Sequence, residues 1–548
     1  MDRTAVFEAL RRLPEEELET ALRLKLVPMV SIPGLRLHAA CGSAAYDIAR
    51  ERKLPLIGRA RRSDFLAAVR AVHGRFLAQE AALGLARRKP IFSARQRLTS
   101  EQASVLLLGA AIFALGMALL PLGTLLMLAS GVGGVFFLAV VALRVLCLLP
   151  PPATERRRRA APLTPEQLPT YSVLVPLFRE TPVLPQLLGA LQRLQYPSTK
   201  LDIKLILEEE DVAMQRALAM RPLPRHFEVI VVPAGRPQTK PRALNYALQF
   251  CRGELVTIYD AEDIPEPDQL RKAAQRFAEA PPELACLQAG LAFYNAGENW
   301  LARQFTAEYA LLFQVLLPVL ASHRLPLLLG GTSNHFRTAV LRAAGAWDAF
   351  NVTEDADLGL RLARLGYQTG TLDSLTYEEA NTRLGNWMRQ RARWLKGFLA
   401  TWLVHMREPR RFIHEVGPAG FWTAQVMTLG VFASALLHPP AMVATAVVAM
   451  LFPSLPEGAG LALVMLAGVN LFVLLAGYAV TIGLVRRGLR RRGITGWTGT
   501  LASLPLYWML MSAAAWLALW QFMTAPFHWN KTEHGLSKLQ RPQVRAAE

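Results

Sequence analysis

"ELVTIYDAEDIPEPDQL", residues 254–270, opens as an apolar, β-branched run and stops on Asp260, Glu262 and Asp263. A turn with two prolines follows, and then a helix-like pattern. The run predicts a buried strand. Carboxylates crowded at its end repel one another unless a cation or a hydroxyl network lies between them. Helix capping accounts for Asp268 but leaves Asp260 and Glu262 without a role.

The neighbouring sequence repeats the design. Apolar runs at 171–178 (YSVLVPLF), 203–207 (IKLIL) and 227–233 (FEVIVVP) alternate with helix-like stretches at 182–195, from Asp211 and from Pro241. Such alternation predicts a mostly parallel sheet with both faces covered. Sheets of that kind bind ligands at the carboxyl ends of their strands. Arg179 and Glu180 follow one of these runs, and Glu208, Glu209, Glu210 and Asp211 follow another. Three polar strand ends predict one site built from several loops.

Further along, residues 299–323 read as a long helix, and "LLLGGTSNHFRT" as a strand and a Gly-rich turn. "NVTEDADLGLRLARLGYQTG" reads as an acidic loop entering a helix, where Asp355 and Asp357 favour the helix dipole. "LGNWMRQRARWLKGFLATWLVHM" has apolar residues at helical spacing from Leu384. Its aromatic and basic content predicts a helix in a membrane interface.

Composition sets the surroundings. The 548 residues are 52% apolar with a net charge of +19, and the mean hydropathy is +0.23. From Ser104 to Pro150 the only formal charge is Arg144; one membrane span needs about 20 residues. A turn near Pro121 splits this block into two spans. Further apolar blocks run from Gly417 to Val485 and from Thr498 to Pro526. The basic clusters Arg156–Arg159 and "RRGLRRRG" from Arg486 favour the cytoplasmic side. No basic groove interleaved with aromatics is present, which excludes nucleic acid as a partner. Cys41, Cys147, Cys251 and Cys286 share no metal spacing and suggest no disulfide. No signal peptide is expected at the start.

The expected organisation is a small α/β domain (1–98), two spans (104–150), a catalytic α/β domain (165–383), interfacial helices (384–416), further spans (417–524) and a closing segment (525–548). The charge rule favours four spans, with 498–524 interfacial; the apolar lengths allow six.

In this order, "LEEED", "YDAED", "TED" and "QRARW" resemble the spaced acidic series and Gln-x-x-Arg-Trp of membrane-embedded processive family-2 glycosyltransferases, the cellulose, hyaluronan and chitin synthases. The resemblance implies a GT-A-type α/β fold with a Rossmann-like nucleotide half, set between transmembrane helices. It implies inverting transfer from a UDP-sugar to a growing polysaccharide at the cytoplasmic face of a bacterial inner membrane, among membrane lipids and with export partner proteins. A single transfer to a lipid carrier is the alternative. Both termini would be cytoplasmic.

The resemblance also assigns residues. Pro176, Glu180, Glu208, Glu209, Lys240, Asn245, Asp260 and Arg393 would face the nucleotide sugar. Asp260, Glu262 and Asp263 would hold Mg²⁺ or Mn²⁺, with Glu262 standing where the family has Asp. Asp355, beside Glu354, matches the general base, and Gln390, Arg393 and Trp394 match Gln-x-x-Arg-Trp. His335, Arg337 and Trp394 would meet the acceptor. Trp529, Lys531 and Thr532 in "PFHWNKTEHG" resemble a gating segment.

Residues 26–98, from "LVPMVSIPGLRLHAAC" to "LARRKPIFSARQRL", resemble the small N-terminal domain of type II secretion ATPases. Some such domains bind cyclic di-GMP. This unit is read as lacking the domain's leading helical half, which argues against that ligand here, and the chain offers no DxSxxG partner for a PilZ-type nucleotide site.

Overall fold

A computed structural model describes residues 3–32, 35–149, 161–451, 459–525 and 537. At the start, β1 (Leu26–Ile32), β2 (Leu35–Cys41) and β3 (Leu56–Ala60) form a small sheet in that order. Two helices, Arg3–Arg11 and Glu15–Leu24, precede it, where the sequence reading expects no leading helical part. Val6, Leu10, Leu18 and Leu22 recur at helical spacing and are buried, so charge alternation hid an amphipathic pair. A long helix, Arg62–Arg88, follows the small sheet.

The large sheet holds β4 (Tyr171–Leu177), β5 (Leu201–Glu208), β6 (Phe227–Val232), β7 (Leu255–Ile258), β8 (Ile264–Pro265), β9 (Leu284–Phe293), β10 (Asn334–Arg337) and β11 (Gln368–Glu378). Its order is β6-β5-β4-β7-β10-β9-β11-β8. β4 to β7 pair in parallel, and β10 runs antiparallel to both β7 and β9. The chain lays down β4, moves outward through β5 and β6, and returns to β7 on the other side of β4. The carboxyl ends of β4 and β7 therefore flank a topological switch point, where open α/β sheets form a crevice. Pro176 lies at the carboxyl end of β4, Glu180 sits beyond it, and Asp260 sits beyond β7.

Strand β5 is buried along its whole length, as suits a covered parallel strand. Lys204 lies in its middle, paired with Asp202 at 2.8 Å and with Glu228. Lys25 and Arg62 of the N-terminal unit reach the same Glu228 at 2.7 and 2.5 Å. A buried charge persists only with such partners, so this network both explains Lys204 and docks the N-terminal unit.

Five stretches among the described residues are long and apolar enough to cross a membrane: Ser100–Leu119, Trp300–Ser322, Pro409–Val443, Val464–Arg491 and Leu504–Thr524. Ser130–Leu146 is apolar but shorter. The helix Val431–Leu451 continues through Pro439 and Pro440. Neighbouring helices supply the packing that lets a helix absorb prolines. The Leu384–His405 helix packs between the helix Glu354–Arg364 and these apolar helices, with Trp387 and Leu395 fully buried.

Candidate functional site

One cavity of about 1440 Å³ starts at the switch point and continues among the apolar helices. Pro176, Glu180, Glu208, Lys240, Asp260, Glu262, Glu354, Asp355, Gln390, Arg393 and Trp394 all line it. The structure thus brings together most of the residues expected at the site.

The loop after β7 is held from inside. Asp263 is almost fully buried, and its Oδ2 accepts from the Asp260 backbone N–H at 2.7 Å and from the Thr332 hydroxyl. This turns Asp263 inward and leaves Asp260 and Glu262 on the cavity wall. Lys240, the first residue of its helix, lies 2.5 Å from Asp260 Oδ1 and donates to Gly331 O at 2.8 Å. Burial pulls its pKa down, but Asp260, Glu354 and Asp355 outweigh that and hold it above its usual value.

Asp263 and Glu378 both titrate well above the usual carboxylate range. Burial is the main cause for each, followed by the neighbouring carboxylates of the cluster. Asp263 Oδ1 is buried without a hydrogen-bond partner. Among the described residues no three His, Cys, Asp or Glu side chains converge to hold a metal by themselves. Mg²⁺ takes one or two carboxylates and completes its shell with substrate phosphates and water. Asp260 and Glu262, neighbouring carboxylates on the cavity wall, could hold such an ion, whereas Asp263 is turned away from it. Glu378 is a residue the sequence reading missed. It ends β11, remote in sequence, and only the sheet order brings it here.

Asp355 and Glu354 open a helix, Glu354–Arg364. The Ala356 N–H donates to Asp355 Oδ1 at 2.8 Å, which fixes the carboxylate. Burial and then the charge of Asp355 push Glu354 up to about 8. Burial also raises Asp355. Glu354 therefore keeps a proton at neutral pH. Because burial raises Asp355, the acid limb of kcat/KM should lie above the usual carboxylate range, since a base works only when deprotonated. Glu354→Gln resembles the protonated neighbour and should leave that limb in place; a pH–rate profile of both proteins checks this.

Gly331 and Gly397 make room at this point. A Cβ on Gly331 would stand 3.4 Å from Asp355 Oδ2. A Cβ on Gly397 would collide with the Thr353 side chain, so this glycine lets the Gln-x-x-Arg-Trp helix press against the loop carrying Glu354. Gly397→Ala should lower kcat by about 10²-fold, since small displacements of reacting groups cost that much. Steady-state kinetics at unchanged thermal stability is the check.

On that helix Arg393 faces Glu354, Asp355 and Asp260. Arg391 forms a two-pronged pair with Glu308 (2.7 and 2.8 Å), and its guanidinium lies 4.7 Å from the Trp394 ring centroid. Trp394 also stacks on Tyr309 at 6.4 Å. Gln390 accepts from Asn381 at 2.8 Å. The aromatic wall is thereby fixed beside the carboxylates.

Other expected site residues lie elsewhere. Glu208 lines the cavity, and burial pushes it up to about 7. Glu209 instead pairs with Arg70 of the N-terminal unit and accepts from Ala234 N at 2.9 Å. Asn245 donates to Ala81 O and Trp347 O at 2.9 and 2.7 Å, tying the N-terminal unit to the sheet rather than facing the cavity. His335 sits inside the sheet on β10, 2.7 Å from the Tyr171 hydroxyl, and burial lowers its pKa to about 3. Arg337 donates to Leu284 O and Phe277 O. The expected acceptor roles of His335 and Arg337 therefore have no access to the cavity. The loop just before them, with Gly330, Gly331 and Thr332, is the part that lines it. Trp529, Lys531 and Thr532 lie outside the described residues. Ser537, from the same end of the chain, donates to Glu379 Oε1 at 2.8 Å, and Glu379 lines the cavity.

Residues 169–397 match the model for "Glycosyltransferase like family 2". A probable glucomannan 4-beta-mannosyltransferase of Arabidopsis thaliana is 24% identical over 42% of this chain and 43% of its own length. The beta-monoglucosyldiacylglycerol synthase of Synechocystis is 27% identical over 44% of this chain and 50% of its own. The chain thus spans about half the length of these relatives. The mannosyltransferase PcManGT of Pyrobaculum calidifontis, solved with GDP-Man and Mn²⁺, covers 74% of this chain and 99% of its own at 18% identity and a TM-score of 0.48.

Proposed function

We propose that this chain, whose residues 169–397 match the family-2 glycosyltransferase model, is a hexosyltransferase that transfers sugar from a UDP-sugar, with inversion, onto an acceptor held at a membrane. The observation that supports this is the single cavity joining Lys240, Asp260, Asp355 and Arg393 to the space between apolar helices. Glu208 lies at the nucleotide end. Lys240 and Arg393 are placed to balance the diphosphate charge. Asp355 takes the proton from the acceptor hydroxyl as it attacks the anomeric carbon. Trp394 offers its face to the acceptor sugar. A divalent cation, Mg²⁺ or Mn²⁺, on Asp260 and Glu262 would stabilise the departing diphosphate.

Repeated transfer would yield a polysaccharide that leaves through the same cavity, with the catalytic domain on the cytoplasmic side of an inner membrane. The largely aliphatic wall above the site favours a second reading, a single transfer to a lipid. Product size separates them. Membranes carrying the protein and a radiolabelled UDP-sugar should give a high-molecular-mass glycan that a glycosidase degrades. A lipid-soluble product bearing one sugar would replace polymerisation by single transfer.

A further inference from the structure

Besides Arg391 and Arg393, the described cavity wall holds one more guanidinium, that of Arg144, on the apolar helix Leu122–Leu146. Arg391 has Glu308, and Arg393 faces Glu354 and Asp355. Arg144 has no carboxylate among the described residues. Its Nη1 donates to Thr481 Oγ1 at 2.7 Å, and its Cζ lies 5.5 Å from the Trp508 ring centroid. Trp508 stacks on Tyr478 at 4.5 Å, and His438 Nε2 lies 2.9 Å from the Tyr478 hydroxyl. Farther along, Asn470 is anchored on Ser130, yet its Oδ1 is buried without a partner.

A charge among apolar helices is costly unless paired, and such residues characteristically mark the path of a ligand. Arg144 is already surrounded by neutral hydrogen-bonding and aromatic groups, so the missing component is an anion. Guanidinium is well matched to phosphate, which it can hold by two parallel hydrogen bonds. Around this polar ring the wall is mainly aliphatic, with Val141, Val447 and Leu474. Such a wall takes a hydrocarbon chain without leaving polar groups unpaired.

We propose that Arg144, with Thr481, seats the phosphate of an anionic amphiphile whose hydrocarbon chain lies among the apolar helices, and that this amphiphile is the first sugar acceptor. The inference rests on the reading of the cavity as the acceptor's seat. It holds whether one sugar or many are then added.

The test uses the full chain in an uncharged detergent, with ligand binding followed by native mass spectrometry. Dodecyl phosphate should bind one to one, and Arg144→Gln should weaken it at least tenfold. Arg144→Lys, which keeps the charge, should retain part of the affinity. Dodecyl maltoside should be indifferent to both changes, and inorganic phosphate should bind far more weakly than dodecyl phosphate. Thermal melting and UDP binding of each variant report on folding. Equal binding of dodecyl phosphate by wild type and a folded Arg144→Gln overturns the proposal. So does Arg144-dependent binding of a glucuronate-bearing tetrasaccharide in place of dodecyl phosphate. If nucleotide sugar is consumed while Arg144 proves irrelevant, only this inference falls. If dodecyl phosphate binds through Arg144 but no nucleotide sugar is ever consumed, the transferase reading falls and the anion site stands.

Discussion

Asp355→Asn is expected to lower turnover by about 10³-fold, within the range that general bases supply, while donor binding changes little. The geometry gives the reason. Asp355 lies on the cavity wall with one oxygen fixed by the Ala356 N–H, and burial raises its basicity. Asn keeps the shape and that hydrogen bond but cannot accept the acceptor's proton. The expected signature is a collapse of kcat with KM for the UDP-sugar nearly unchanged, measured by UDP release. A wild-type rate in Asp355→Asn would remove the carboxylate from the mechanism.

Glu262→Ala should lower cation-supported turnover by about 10²–10³-fold, the usual loss when a group stabilising transition-state charge is removed. It should also raise the cation concentration needed for half-maximal rate. Asp263→Ala should act differently. It strips the Asp260 N–H of its acceptor and the Thr332 hydroxyl of one of its two, at a cost of about 1–3 kcal/mol in stability. A titration of Mg²⁺ and Mn²⁺, paired with thermal melts, separates the two. If Glu262→Ala keeps its cation response while a stably folded Asp263→Ala loses it, the assignments are reversed.

Much of the sheet was legible because β4, β5, β6 and β7 are largely apolar runs, and β4, β5 and β7 lead into charged residues. That pattern also put Glu208, Asp260 and Glu262 on a shared edge, while Asp355 came from the family resemblance. The failures have a common cause. His335 and Asn245 are polar residues in the right neighbourhood, but local sequence cannot show which way a side chain turns. His335 points to Tyr171 inside the sheet, and Asn245 points to the N-terminal unit. Glu378 was invisible for the opposite reason: its strand, β11, joins the site through parallel pairing with β9, far away in sequence. Asp263 reads like its neighbours in "YDAED", and only the Thr332 contact shows that it braces the loop. Arg144 stood out early as the lone charge in an apolar block, yet its meaning depends on Thr481 and Trp508, which sequence could not place beside it.

The central claim is that this cavity moves sugar from a nucleotide diphosphate. The most direct measurement is nucleotide release by the membrane-reconstituted protein from a panel of UDP-sugars, with GDP-mannose alongside, with and without Mg²⁺ or Mn²⁺. At least one UDP-sugar should be consumed, its consumption should need the cation, and it should vanish in Asp355→Asn. Failure of the folded wild-type protein to release nucleotide from any of these donors, with either cation present, would contradict it.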